Sequence, residues 1–149
     1  MANSFVLEIV TPEKHFYTGD VEIVIARLVS GDEGFMAGHA WACKLLGTGE
    51  LWFREAGARE FRLAAVSGGF IDVRGDVLIF TDSAEWPDEI DVGRAEEACK
   101  HEQDWLDQHN VGALGRGFEK TAETEIHRQA VLRALNRRKV ARGGGRVRH

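Results

Sequence analysis

The sequence predicts a β-domain followed by a pair of helices, and three observations lead there. Up to about residue 83 the chain is a series of short apolar, β-branched runs set apart by glycine turns. After Trp86-Pro87 the apolar period lengthens to that of a helix. That second region is interrupted by a glycine-bearing break at residues 110–117 and stopped by Gly143-Gly144-Gly145. The expected architecture is an N-terminal antiparallel β-sandwich at residues 1–87 and an antiparallel two-helix hairpin at residues 88–142. A basic flexible tail at residues 143–149 completes it.

The first predicted strand is residues 5–10, Phe-Val-Leu-Glu-Ile-Val, which Thr11-Pro12 stops because proline lacks the ladder N–H. Residues 21–29 alternate in part, with Ile23, Ile25 and Arg27 on one face. Residues 50–54, 61–66, 70–73 and 77–80 are the further strands. Gly19-Asp20, residues 47–49, Gly57, Ser67-Gly68-Gly69 and Gly75-Asp76 lie between them. Runs spaced about 8 to 12 residues apart with glycine turns indicate an antiparallel sandwich or barrel. Gly75-Asp76 reads as a tight hairpin turn.

In the second region Asp88 or Asp91 can cap a helix with an acidic first turn, which suits the positive end of the helix dipole. From residue 91 to about 108, Ala95, Ala98, Cys99, Glu102, Trp105 and Leu106 fall near one stripe. The second helix runs over residues 118–141, with Ala122, Ile126, Ala130, Val131, Ala134 and Leu135 towards one side. Glycines then end it. This apolar stripe is thin and rich in alanine, so burial at about 25 cal/mol per Å² stabilises it little. Isolated helices are marginal in water, so the hairpin is expected to be the less stable part, able to leave the sandwich.

Charge is unevenly placed. The net charge is −5, yet residues 133–149 hold seven of nineteen Lys and Arg and no acid. The remainder carries 19 − 7 = 12 bases against 24 acids, a net of −12. Such asymmetry marks an interaction tail, while the acidic remainder disfavours a nucleic-acid surface. No apolar run approaches the roughly 20 residues that span a bilayer, and the N-terminus shows no export pattern. Cys43 and Cys99 fall in different elements and read as reduced thiols, so the expected setting is cytosolic.

Catalytic constellations are missing: there is no nucleophile elbow, phosphate-binding loop, paired CxxC or metalloprotease helix. His39 and Cys43 could form a thiol–imidazole pair or bind metal only if a helix placed them on one face, and residues 34–38 read as loop. Ser67-Gly68-Gly69 could offer amides to an anion, though a strand-crossing turn, where glycine relieves backbone crowding, is the better account. Three readings stay open on the residues alone. They are an interaction and regulatory subunit, a stand-alone β-sandwich ligand-binding module with a helical tail, and an enzyme built on His39 and Cys43.

Several segments, in order, resemble the epsilon subunit family of F-type ATP synthases. Residues 7–13, Leu-Glu-Ile-Val-Thr-Pro-Glu, are similar to its opening strand and turn. Residues 31–40, Gly-Asp-Glu-Gly-Phe-Met-Ala-Gly-His-Ala, resemble its long loop, G-E-x-G-x-x-P-G-H-x-P, with Ala37 and Trp41 in place of the prolines. Residues 65–73 resemble its late hairpin, and Ala84-Glu85 with residues 90–95 resemble its junction with the helices. Leu132-Arg133-Ala134-Leu135-Asn136-Arg137 matches more loosely.

The resemblance implies a non-catalytic rotor subunit, peripheral on the cytoplasmic face of a bacterial plasma membrane. It would contact the gamma subunit and the ring of c subunits and couple ion-driven rotation to ATP synthesis. Its hairpin would extend along gamma and inhibit ATP hydrolysis, the cationic second helix meeting acidic surfaces of the catalytic alpha/beta head. Asp32, Glu33, Met36 and His39 would be the ring contacts. No cofactor is required, but some bacterial members bind a regulatory ATP. The matching residues here are Glu85, Ile90, Asp91, Arg94, Ala95, Arg133 and Arg137. Asp91 and Arg94 have an equally good structural account as a helix cap and first-turn partner.

Overall fold

The computed structural model describes residues 3–111 and 122–144, without the side chains of residues 109–111 and 122–125. Eight strands come first: β1 (Phe5–Val10), β2 (His15–Leu28), β3 (Gly31–Met36), β4 (Ala42–Glu55), β5 (Arg62–Val66), β6 (Phe70–Arg74), β7 (Asp76–Phe80) and β8 (Ala84–Glu85). A short 3-10 turn at Pro87–Glu89 leads to helices α1 (Val92–Val111) and α2 (Ala122–Ala141).

The two 14-residue strands organise the domain by serving both layers. The first half of β2 pairs with β1, which pairs in turn with β7, then β6, then residues 42–45 of β4. The second half of β2 lies between β3 and residues 46–55 of β4, which continues to β5 and β8. The result is a sandwich whose layers are joined through the bends of β2 and β4. At the β4 bend a Cβ on Gly49 would stand 2.5 Å from Arg27 Cβ, so only glycine lets the strands approach there.

Phe5, Leu7 and Ile9 of β1 face Val24, Ala26 and Leu28 of β2, Phe35 of β3, Leu51 and Phe53 of β4, and Ile71, Val73, Val77 and Ile79 of the late hairpin. This alternation is the period-2 burial of a half-covered strand. Gly69, at φ +101°, crosses so close that an added Cβ would meet the Phe80 carbonyl oxygen at 1.9 Å.

The predicted sandwich-plus-hairpin is present, with differences in detail. Residues 31–36 form a strand rather than a loop. Backbone pairing with Ile23 through Leu28 satisfies their amides without any apolar alternation to reveal it. Residues 47–49 lie inside β4 rather than between strands, because glycine there serves a bend. Strand β2 begins at His15, six residues earlier than expected, and Ile23, Ile25 and Arg27 share its outer face while Val24, Ala26 and Leu28 point inward. The β1–β7 pair is parallel, whereas the other pairings are antiparallel.

In α1, Asp91 is the cap: its Oδ1 accepts from the Arg94 amide at 3.1 Å. The first turn holds no acid, because Asp88 and Glu89 belong to the 3-10 turn. Ala95, Cys99, Glu102, Trp105 and Leu106 lie inward, but Ala98 is exposed. Ile126 and Leu135 of α2 are also exposed, and among its described side chains Val131, Ala134 and Val140 are buried. Helix α2 closes as expected, with the Gly144 amide donating to Lys139 and that of Gly143 to Val140, a Schellman arrangement. The interhelical break expected at residues 110–117 does not begin at 110, since α1 continues to Val111; its residues 112–117, the start of α2 at residues 118–121 and tail residues 145–149 lie outside the described residues.

Candidate functional site

The seam between α2 and the sandwich gathers the largest group of functional side chains. Its apolar part is small: Val140 packs with Leu63, Ala65 and Ile90, edged by Trp52 and Ala141. Polar clasps flank it. Arg137 forks onto Glu85 of β8, its Nε 2.7 Å from Oε1 and its second nitrogen 3.0 Å from Oε2. Planar guanidinium and carboxylate match in this bidentate geometry. Lys139 Nζ stands 2.8 Å from Oε1 of Glu50, whose other oxygen accepts from the Trp52 indole at 2.7 Å. The Asn136 amide donates to the Gly49 carbonyl at 2.9 Å, and Arg142 reaches Glu96 of α1 at 2.9 Å.

Of the residues proposed for ATP, Glu85, Arg133 and Arg137 line one cavity of about 30 Å³, whose other walls are polar at Thr48, Ser67, Ser83 and Asn136 and apolar at Ala65 and Val66. Asp91 is engaged as the cap of α1, while Ile90 and Ala95 are buried. Arg94 is exposed and makes no side-chain hydrogen bond or ion pair among the described residues. Two guanidinium groups suit phosphate oxygens, but 30 Å³ holds a water or two rather than a nucleotide. In this conformation Arg137 is committed to Glu85.

The four residues assigned to the ring sit on β3 and the turn after it, at an edge of the sheet. Asp32 pairs with Arg27, and Glu33 with Lys44 at 2.6 Å. The His39 Nδ1–H donates to the Ala40 carbonyl at 2.7 Å and its ring lies 4.8 Å from that of buried Phe35. Met36 and neighbouring Trp41 are exposed, at 60% and 78%. The acids are thus neutralised locally, and apolar surface is what this edge offers. The His39 imidazole and Cys43 thiol make no contact, Cys43 being exposed on β4. Among the described residues no cluster of three His, Cys, Asp or Glu could hold a metal ion, and no helix is long and apolar enough to cross a membrane.

A second polar cluster ties the helices together. His127 of α2 hydrogen-bonds Glu102 of α1 and stacks on Trp105 with ring centroids 3.7 Å apart. That bond holds the Glu102 carboxyl below its ordinary value of 4.5, against a smaller opposing effect of burial.

The family model for the ATP synthase Delta/Epsilon chain beta-sandwich domain matches residues 4–87, the sandwich up to the 3-10 turn. The chain belongs to this family. Relatives named ATP synthase epsilon chain extend the match into the helices. That of Caldicellulosiruptor bescii is 35% identical over 138 residues, 92% of this chain and 93% of its own length. That of Bacillus pumilus is 37% identical, covering 91% and 95%, and that of Alkaliphilus oremlandii 46% identical, covering 66% and 72%. A chain in the Euglena gracilis mitochondrial ATP synthase, solved as OSCP/F1/c-ring, shares the fold with a TM-score of 0.69 at 21% identity, covering 89% of this chain and 79% of that one. Family membership makes the chain a non-catalytic subunit, consistent with the lack of catalytic motifs in its sequence.

Clasp residues Glu50, Asn136 and Lys139 were missed in the sequence, as were His127 and its pairing with Glu102. Glu50 gave one usable signal, since it opens the apolar run Leu51-Trp52-Phe53, where an acid needs a partner when buried.

Proposed function

We propose that the chain is a rotor subunit of an F-type ATP synthase at the cytoplasmic face of a bacterial membrane. Its sandwich seats on the gamma subunit and the c ring, coupling ion-driven rotation to ATP synthesis. Its hairpin is a detachable arm that restrains ATP hydrolysis by reaching the alpha/beta head. The observation that carries this reading is the make-up of the seam. Little apolar surface is buried there, and three cations, Arg137, Lys139 and Arg142, are held by carboxylates. Ion pairs that stay partly exposed contribute little, about 0–1 kcal/mol where most exposed, so Arg142 and, at a somewhat higher cost, Arg137 can exchange Glu96 and Glu85 for acids of another surface, while buried Glu50 makes the Lys139 clasp the costliest of the three to open. The apolar edge at Met36 and Trp41 supports the ring contact, because an uncovered sheet edge is a ready site for a partner.

ATP enters this reading only in a second arrangement, in which Arg137 has left Glu85 and the cavity by Arg133 has widened. Titration calorimetry of the chain with ATP, beside an Arg133→Ala/Arg137→Ala variant, tests it. Saturable heat lost in the variant supports ATP sensing, and no heat from either protein removes ATP from the account. Co-purification with gamma tests the rotor assignment itself. A chain that fails to bind gamma belongs instead to the stand-alone ligand-binding reading.

A further inference from the structure

Three groups converge on the Glu50 carboxylate at the end of the seam. Lys139 Nζ stands 2.8 Å from its Oε1, and the Trp52 indole N–H donates to its Oε2 at 2.7 Å. The third is the backbone of Gly144, where an added Cβ would lie 3.1 Å from the same Oε2. That Cβ would also stand 2.8 Å from Leu63 Cδ2 and 3.0 Å from Trp52 Cζ2. The end of α2 therefore lies closer to the sandwich than a side chain at this position allows.

Gly143 provides the contrast. Both glycines have positive φ, +96° at Gly143 and +65° at Gly144, as the end of a helix with a left-handed cap requires. A Cβ on Gly143 would meet nothing within 4 Å, so its backbone torsion is its only demand. At Gly144 the torsion is one that asparagine also adopts. The space, rather than the torsion, is what demands glycine there.

The cap couples this close approach to the clasp. The Gly144 amide donates to the Lys139 carbonyl at 2.8 Å, while the Lys139 ammonium is held by Glu50. A side chain that pushes residue 144 outward therefore carries Lys139 with it. Val140, which packs on Leu63 and Ala65, lies in the same turn and moves too.

We propose that Gly144 is a positioning residue for the docked hairpin: its missing side chain lets the end of α2 close on Glu50, Trp52 and Leu63. That closure holds Lys139 on Glu50 and Val140 in the apolar seam. The consequence for ATP hydrolysis rests on the hairpin being a detachable inhibitory arm, but the seating of Gly144 does not.

Native-state hydrogen exchange of the full chain tests this with Gly144→Ala and Gly144→Asn, and with Gly144→Ala repeated in a Leu63→Val background. Overpacking so tight a contact should lower the protection of amides in residues 131–141 about 10-fold in Gly144→Ala. Amides of β1 and β7 should keep theirs, and the Trp52 indole N–H resonance should move as its Glu50 partner is displaced. Gly144→Asn should lose at least as much, since asparagine fits the torsion but still carries a Cβ. Leu63→Val removes Cδ2, the nearest atom, so Gly144→Ala should cost less in that background. Protection retained in Gly144→Asn overturns the proposal, because the position would then require only a left-handed residue. An equal loss from Gly144→Ala in both backgrounds also overturns it, because Leu63 would then play no part. In the gamma-containing complex, Gly144→Ala should lower the rate of ATP hydrolysis. The expected exchange pattern with an unaltered hydrolysis rate supports the seating of Gly144 and counts against the inhibitory arm alone.

Discussion

Replacing Arg137 by alanine removes both bonds of its fork, at 2.7 and 3.0 Å, and leaves the Glu85 carboxylate without its counter-ion. The side chains are 31% and 26% exposed, so the pair lies between an exposed ion pair and a buried one. Exposed pairs contribute about 0–1 kcal/mol, and hydrogen bonds to charged groups in drier settings about 1.5–3 kcal/mol. Docking of α2 should therefore weaken by about 1–2 kcal/mol, roughly 5- to 30-fold in the docking equilibrium. Native-state hydrogen exchange resolves this directly. Amides of residues 131–141 should lose protection by that factor, while those of β1 and β7 keep theirs, because the sandwich core lies on other residues. A Glu85→Gln/Arg137→Ala double variant should cost less than the sum of the single changes, since both act on one contact. Unchanged protection in α2 would refute the reasoning, and so would an equal loss in α2 and β1, which would make the pair a support of the whole fold.

Three further outcomes follow from the same contacts. Val140→Ala, at a fully buried site in the small apolar seam, should weaken hairpin docking by about 2 kcal/mol, read by the same exchange measurement, while the urea midpoint of the sandwich stays fixed. Gly69→Ala should destabilise the sandwich by about 3 kcal/mol in urea unfolding, because the positive φ and the Phe80 carbonyl both exclude a side chain. Glu102, held low by His127, gives the α1–α2 contact a contribution that is complete above its unfolded pKa near 4.5 and lost as pH falls through its lower folded value. Helical circular dichroism should therefore decline on acidification through that window, and Glu102→Gln should remove this part of the pH dependence.

Much of the fold could be read in the sequence because most of its strands carry apolar alternation, as in Phe5-Leu7-Ile9. Where pairing rather than side-chain pattern makes the strand, it could not. Gly31–Met36 offers little besides Phe35 to bury, and its strand exists through bonds to β2. Glycine misled at residues 47–49 because a bend within a strand and a turn between strands require the same freedom. The parallel β1–β7 pair is a long-range pairing that no local signal encodes. In α2 the apolar stripe pointed to Val131 and Ala134, which are buried, but also to Ile126 and Leu135, which are exposed, and it left out Val140, which is fully buried. The stripe is too thin to fix a face, and the ion pairs of Arg137 and Lys139 contribute to orienting the helix. The residue types of the seam were legible only through family resemblance, and their pairing with one another came from the fold.

The most direct test of the central claim is the ATP hydrolysis rate of the reconstituted gamma-containing complex carrying this chain with Glu85→Gln and Glu50→Gln. Both changes lie on the sandwich, so they loosen the seam while leaving the cations of α2 available to the head. If the hairpin is a detachable inhibitory arm, hydrolysis should fall below that of the complex with the unaltered chain, and binding to gamma should be unchanged. Equal hydrolysis rates, despite faster exchange in the α2 amides, would contradict the account and leave the clasps as purely structural contacts.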